Sequence, residues 1–355
     1  MLKILLISSI TFSLYANDLA KEAKDKGLKP IPKDFTKLKQ LLDTKDNPIT
    51  LEKIKLGKKL FNDKNLSLSR KISCASCHDI NDGGEDGKPT AIGYKNRVNP
   101  HHLNTPTVLN SAFAKKFFWD GRSPSLSDQA KGPTVAPFEM ASNANLIEQR
   151  VKENRYYIEK FQEVFGKDSI TFDNITKVIA TYEKTLVTRG DFDKFLDGDK
   201  NAISQKAKDG LKLFINIGCK GCHNGEAIGG QTLQRFPLRT YNGLLFPTFK
   251  YTNRRVLKDL KLQFNVSSKR YPFENRGGFL GRNSTQVFRV PILRNITKTA
   301  PYFHNGMIQK LDKAIFIMGR YQLGIDLSDD QISKIKAFLQ TLEGNVVQYK
   351  ALQDI

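Results

Sequence analysis

The chain has 355 residues, with 57 Lys and Arg against 36 Asp and Glu, a formal charge of +21, and 39% of its residues are hydrophobic. That length supports two globular domains with cores of their own, and the composition excludes disordered, collagenous and disulfide-scaffold classes. A balance this basic requires an anionic partner, and composition leaves nucleic acid, a membrane surface and an acidic protein open.

In chain order, the first element is an export signal. Lys3 precedes an apolar run from Ile4 to Leu14, and "YAND" offers a small-residue cleavage point after Ala16. The run is too short to span a bilayer and no stop-transfer pattern follows, so residues 1–16 read as a cleavable signal peptide rather than an uncleaved anchor. Export argues against nucleic acid, and the mature chain has no apolar run near 18 residues, so no membrane span is expected in it. A first helix carries Leu51, Ile54, Leu60 and Phe61 on one face, with Thr50 placed to cap it. A loop rich in Gly, Pro and Asn follows from Asn81 to Pro106. Phe172, Ile175, Ile179, Tyr182 and Leu186 mark another helix, read as ending at Arg189, and a domain boundary fits at Gly190. A second long loop, from Gly225 to Arg294, has room for short strands. Ser328 opens a last helix with Ile332, Ile335, Phe338, Leu339 and Leu342 on its apolar face and Gly344 as its stop.

All four cysteines fall into two copies of one pattern, Cys74-Ala-Ser-Cys77-His78 and Cys219-Lys-Gly-Cys222-His223. C-x-x-C-H is the attachment motif of c-type haem: two thiols add to the porphyrin vinyl groups, and the adjacent histidine lies beneath the iron. A zinc ribbon would space its pairs some 15–20 residues apart, whereas Cys77 and Cys219 are 142 positions apart. A thioredoxin-like pair would need one motif in a βαβ setting, and no such alternation is present. An internal repeat agrees: Gly57, Leu60 and Phe61 of "LGKKLFND" correspond to Gly210, Leu213 and Phe214 of "DGLKLFIN".

The expected fold is therefore mainly α: two tandem cytochrome-c-like domains, each binding one covalently attached c-type haem. The boundaries are 1–16 for the signal peptide, 17–190 and 191–345 for the haem domains, and 346–355 for a tail packing back on the first domain. Each iron has a sixth position whose occupant decides between electron transfer and chemistry. Beyond His78 and His223 the candidates are His101, His102, His304, Met140, Met307 and Met318.

The stretches "LNTPTVLNSAF", "FFWDGRSPSLSDQAKGP", "FEM", "LRNITKTAPYFHNG" and "IMGRYQLG" closely resemble the bacterial dihaem cytochrome c peroxidases, in that family's order, from about Leu51 to Leu342. The resemblance implies a periplasmic enzyme that reduces hydrogen peroxide to water with electrons from a small cytochrome c or similar donor, and that forms a homodimer. By position, it makes the haem on His78 peroxidatic, with Glu139 as the distal acid–base carboxylate and Gln129 as the amide beside it. Splitting the O–O bond needs a group that takes a proton from one oxygen and delivers it to the other, which one carboxylate can do. The resemblance makes the haem on His223 the electron-receiving one, with Met318 as its axial ligand; on the residues alone Met307 competes, and either methionine can be core. It also places Trp119 between the haems, and Asn104, Thr299 and Pro301 around a calcium ion, which favours oxygen ligands.

One position departs from the pattern. Many members of the family have a histidine where this chain has Tyr94, and that histidine blocks the first haem until the second is reduced. The first iron is then open at rest or capped by Tyr94, His101 or His102. Two other functions stay in view: a dihaem electron carrier without peroxidase activity, and a MauG-type enzyme that oxidises a partner protein, whose branch has tyrosine where Met318 stands. Much of the positive charge lies in residues 231–300, which hold 14 Lys and Arg against Asp259 and Glu274. This segment belongs to the second domain and suits an acidic donor.

Overall fold

The computed structural model describes residues 19–238 and 271–353. The expected signal peptide, the middle of the basic loop and the last two residues lie outside the described residues.

The first half is built from α1 (19–25), α2 (Phe35–Leu42), α3 (Leu51–Phe61), α4 (Leu126–Val135), α5 (Ala144–Lys152), α6 (Arg155–Phe165) and α7 (Phe172–Glu183). Thr50 caps α3 by accepting a hydrogen bond from the Lys53 amide. Leu51 is 38% exposed, so the buried face of α3 is Ile54, Leu56, Gly57, Leu60 and Phe61 instead. The helix expected to reach Arg189 ends at Glu183. Thr188–Gly190 forms strand β1, antiparallel to β4 (Gly344–Val346). The β-branched run Thr185, Val187 and Thr188 favours extended backbone there.

The second half contains α8 (Asp191–Leu196), α9 (Gln205–Asn216), α10 (Leu311–Ile317), a π-helical turn over Met318–Leu323, and α11 (Asp329–Gln340). Ser328 and Gln331 close a capping box on α11, and Leu342 is buried just past its end. Within the long loop, β2 (Leu233–Arg235) pairs antiparallel with β3 (Val287–Arg289). No helix among the described residues is long and apolar enough to cross a membrane.

The internal repeat has a structural counterpart. Gly57 lets α3 cross α7 and Gly210 lets α9 cross α11 at backbone contact: a Cβ on either would lie 2.0 Å from the Val178 oxygen or 1.9 Å from the Lys334 oxygen. Beside these crossings Phe61 meets Tyr182 at 5.4 Å between ring centroids, and Phe214 meets Phe338 at 5.1 Å. Two large hydrophobic clusters form among the described residues, and they exchange chain ends. Leu19, Ala20, Ala23 and Leu28 join the cluster of α8–α11, while Tyr349, with Val347 against it, joins that of α2–α7. The buried Asp193 fastens the exchange: Arg294 donates to both its oxygens at 2.7 and 2.8 Å, and the Ile31 and Gly190 amides add 2.7 and 2.8 Å bonds.

Candidate haem sites and the interface between them

Each C-x-x-C-H motif opens as a short 3-10 turn, Cys74–Ser76 and Cys219–Gly221, after the helix that carries the repeat. In the first, His78 Nδ1 donates to the Gly84 carbonyl at 3.0 Å. This leaves Nε2 with the lone pair, the arrangement a ring ligand to a metal needs. Burial lowers the His78 pKa, against the Gly84 bond and Asp86, so the ring is neutral at pH 7. His78 lines a polar cavity with Ala75, Ser76, Phe61, Tyr182 and Asp86.

Glu139 and Gln129 do not line that cavity. Gln129 is half-buried on α4, and Glu139 follows on a turn whose amide donates to the Ala136 carbonyl at 3.0 Å. Burial raises the Glu139 pKa, with Arg122 opposing. The Cys77 thiol is pushed up to about 11 by burial and then by the carboxylates of Asp86 and Glu139, so Glu139 acts on the attachment site of the first haem. Tyr94 lies at the same turn: its amide donates to the Glu139 carbonyl at 2.8 Å. The backbones approach so closely that a Cβ at Gly93 would sit 2.5 Å from Glu139 Cα. His101 instead packs near Phe279, with ring centroids 5.9 Å apart, and the His102 amide bonds back to Asn99. Tyr94 alone of the three is held against Glu139.

The second cavity collects most of the remaining candidates. Cys219, Cys222 and His223 line it together with Met318, Trp119, Asn104, Thr299 and Pro301. Burial pushes the His223 pKa down to about 4, which keeps its ring in the neutral, ligating form. Met318 opens the π-helical turn, a distortion that recurs at functional sites. Met307 packs against the neighbouring core and does not line the cavity. The donor set and the apolar wall of Phe214, Ile315 and Leu339 fit a covalently held haem.

Trp119 joins the two halves. Its indole Nε1 donates to the Asn104 carbonyl at 2.8 Å, and the Asn104 amide donates to the His304 carbonyl at 2.9 Å. Asn104 Nδ2 donates to the Lys88 carbonyl at 2.8 Å, which leaves Oδ1 available to a cation. His304 is buried among Trp119, Tyr271, Phe279 and Phe288 and bonds Asn275 Oδ1 at 2.8 Å. Burial pushes its pKa down to about 3. Sequence reasoning missed two buried ionisable groups, one beside each motif. Glu183, pushed up to about 8 by burial, acts on the Cys74 thiol. Arg289 lines the second cavity; its signal was a lone cation inside the apolar run Val287 to Leu293.

Comparison with known proteins identifies the family. The family model described as di-haem cytochrome c peroxidase matches residues 51–201. The cytochrome c551 peroxidase of Nitrosomonas europaea is 41% identical over 305 residues, covering 85% of this chain and 83% of that protein. The cytochrome c551 peroxidase of Pseudomonas aeruginosa is 38% identical over 322 residues, covering 89% and 84%. Among solved structures, a MauG-like protein associated with microbial copper homeostasis has the same fold, with a TM-score of 0.67 at 22% identity over 92% of this chain and 96% of that one. With both C-x-x-C-H motifs in place and this identity sustained over most of its length, the chain belongs to the di-haem cytochrome c peroxidase family.

Proposed function

We propose that the chain reduces hydrogen peroxide to two waters, with two electrons delivered one at a time by a small periplasmic cytochrome c or similar donor and two protons from solvent. The observation that carries the reading is Glu139, a half-buried carboxyl whose pKa burial raises and whose charge reaches the Cys77 thiol of the first motif. When bound, the first haem supplies the iron at which peroxide is reduced and the second the redox centre through which electrons enter. Cys74, Cys77 and His78 hold the first; Cys219, Cys222, His223 and Met318 hold the second. Glu139 takes the proton from one peroxide oxygen and returns it to the other as the O–O bond opens, and Gln129 orients the peroxide by hydrogen bonding. Arg122 favours the carboxylate and keeps Glu139 able to accept that proton.

Trp119, which lines the second cavity, would carry electrons from the second haem to the first. Asn104, Thr299 and Pro301 all line the second cavity, and the Asn104 side-chain oxygen with the Thr299 and Pro301 carbonyls would hold Ca²⁺, water completing the shell. The two hydrophobic clusters correspond to two cytochrome-c-like domains divided near Gly190, residues 1–16 direct the chain to the periplasm, and two copies form the homodimer. A plain dihaem carrier has no use for the half-buried Glu139 and Gln129. Met318 argues against the MauG-type alternative, which has tyrosine there.

Glu139→Gln is expected to keep two haems per chain and to lose on the order of 10²-fold or more in peroxide turnover. Turnover near that of the wild type would remove Glu139 and the reading built on it.

A further inference from the structure

β3 carries a charge that its surroundings do not explain. Arg289 is 7% exposed, between Phe288 at 6% and Val290 at 5%. Its amide donates to the Trp119 carbonyl at 2.8 Å and its Nε to the Phe118 carbonyl at 3.4 Å. Among the described residues its guanidinium forms no ion pair and no other hydrogen bond. Arg294, five residues on and fully buried, is by contrast matched at both terminal nitrogens by Asp193. Burial alone acts on Arg289, pushing its pKa down to about 10 with no acid opposing it. A buried charge without a counter-ion is strongly destabilising, and a guanidinium fork fits a carboxylate. Arg289 is the single Lys or Arg among the described residues lining the second cavity, and no Asp or Glu lines it. The cavity's donor set, Cys219, Cys222, His223 and Met318, fits a haem, whose two propionates are carboxylates.

We propose that Arg289 is the counter-ion of a propionate of the second haem, a positioning residue that holds that haem's edge against Trp119 and raises its reduction potential. The inference rests on the haem reading of the second cavity. The sign follows from charge: a cation beside a haem disfavours its more positive, oxidised form. Loss of the cation, with the propionate left unmatched, lowers the potential.

The test is an optically followed potentiometric titration of the holoprotein and of its R289Q and R289K variants. In R289Q the reduced-to-oxidised ratio of the second haem at fixed potential is expected to fall about tenfold, which is about 59 mV for one electron. The first haem should stay in place, and R289K should recover most of the difference by restoring the charge. An R289Q midpoint equal to that of the wild type overturns the proposal. If R289Q yields no holoprotein, R289K carries the test. It replaces the planar fork with a point charge, so the propionate bending band in resonance Raman should move, and an unmoved band overturns the proposal equally. Haem content is measured on the wild type as well, and fewer than two haems per chain would instead remove the haem reading of the cavity.

Discussion

Glu139 has one cation, Arg122, acting on its carboxyl, and burial still wins, so the pKa lies above the ordinary range. A carboxyl that must accept a proton works as the carboxylate, so its rate contribution is lost as pH falls through that raised value. We therefore predict an acid limb in kcat/KM for peroxide centred above the roughly 4.3 of an unperturbed glutamate. The limb should be absent from the residual activity of Glu139→Gln. Stopped-flow rates across pH check this, and a limb kept by the variant would assign the titration to another group. The histidines obey the opposite sign: burial lowers His78, His223 and His304 and keeps their rings neutral. Residue types at fixed spacing made the two candidate haem-attachment motifs legible in the sequence. Burial did not show there, because it is set by contacts distant along the chain. Arg289 and Glu183 escaped notice for that reason, and so did the placing of Tyr94 against Glu139.

At the scale of elements, the repeat around Gly57 and Gly210 was readable as sequence, while its purpose emerges only where helices cross. Alanine at Gly57 would gain about 1 kcal/mol of helix propensity. Against this, its Cβ would meet the Val178 oxygen at 2.0 Å, and forcing backbones apart costs roughly 1–3 kcal/mol or more. The clash wins, so Gly57→Ala should lower the thermal midpoint of the holoprotein, whereas Lys55→Ala, on the exposed face of the same helix, should stay within about 0.5 kcal/mol of the wild type. Thermal melts followed by circular dichroism decide this, and equal midpoints for the two variants would mean that the α3–α7 crossing tolerates a side chain. Helices with caps and clean periodicity, α3, α7 and α11, were legible. The end of α7 was not, because β1 gains its hydrogen bonds from β4, more than 150 residues away. Nor was the π-helical turn at Met318, which follows a helix without a break in the apolar pattern.

At the scale of the molecule, adjacency in sequence misleads twice. The first concerns the chain ends: residues 19–28 precede the first haem motif yet pack with α8–α11, and Lys24 and Lys29 tie them to the Leu196 carbonyl and to Glu226. The second concerns charge. Of the cations in 231–300, Arg289 and Arg294 are buried, Arg276 pairs with Glu274 and Lys298 with Glu343, both at 3.3 Å. The excess in that segment falls mainly on residues 239–270, which hold 8 Lys and Arg against Asp259. Four propionates leave the whole chain strongly basic, so an acidic donor is drawn in and a basic one repelled. Screening shortens the reach of this field from about 30 Å at 0.01 M salt to about 3 Å at 1 M. The second-order rate of electron delivery from an acidic cytochrome c should therefore fall steeply with ionic strength, and that from a basic cytochrome c should rise. Stopped-flow oxidation of the two donors measures both slopes. Slopes of opposite sign would place the excess charge at the site where electrons enter, whereas two flat profiles would place it on a face that the donor never meets.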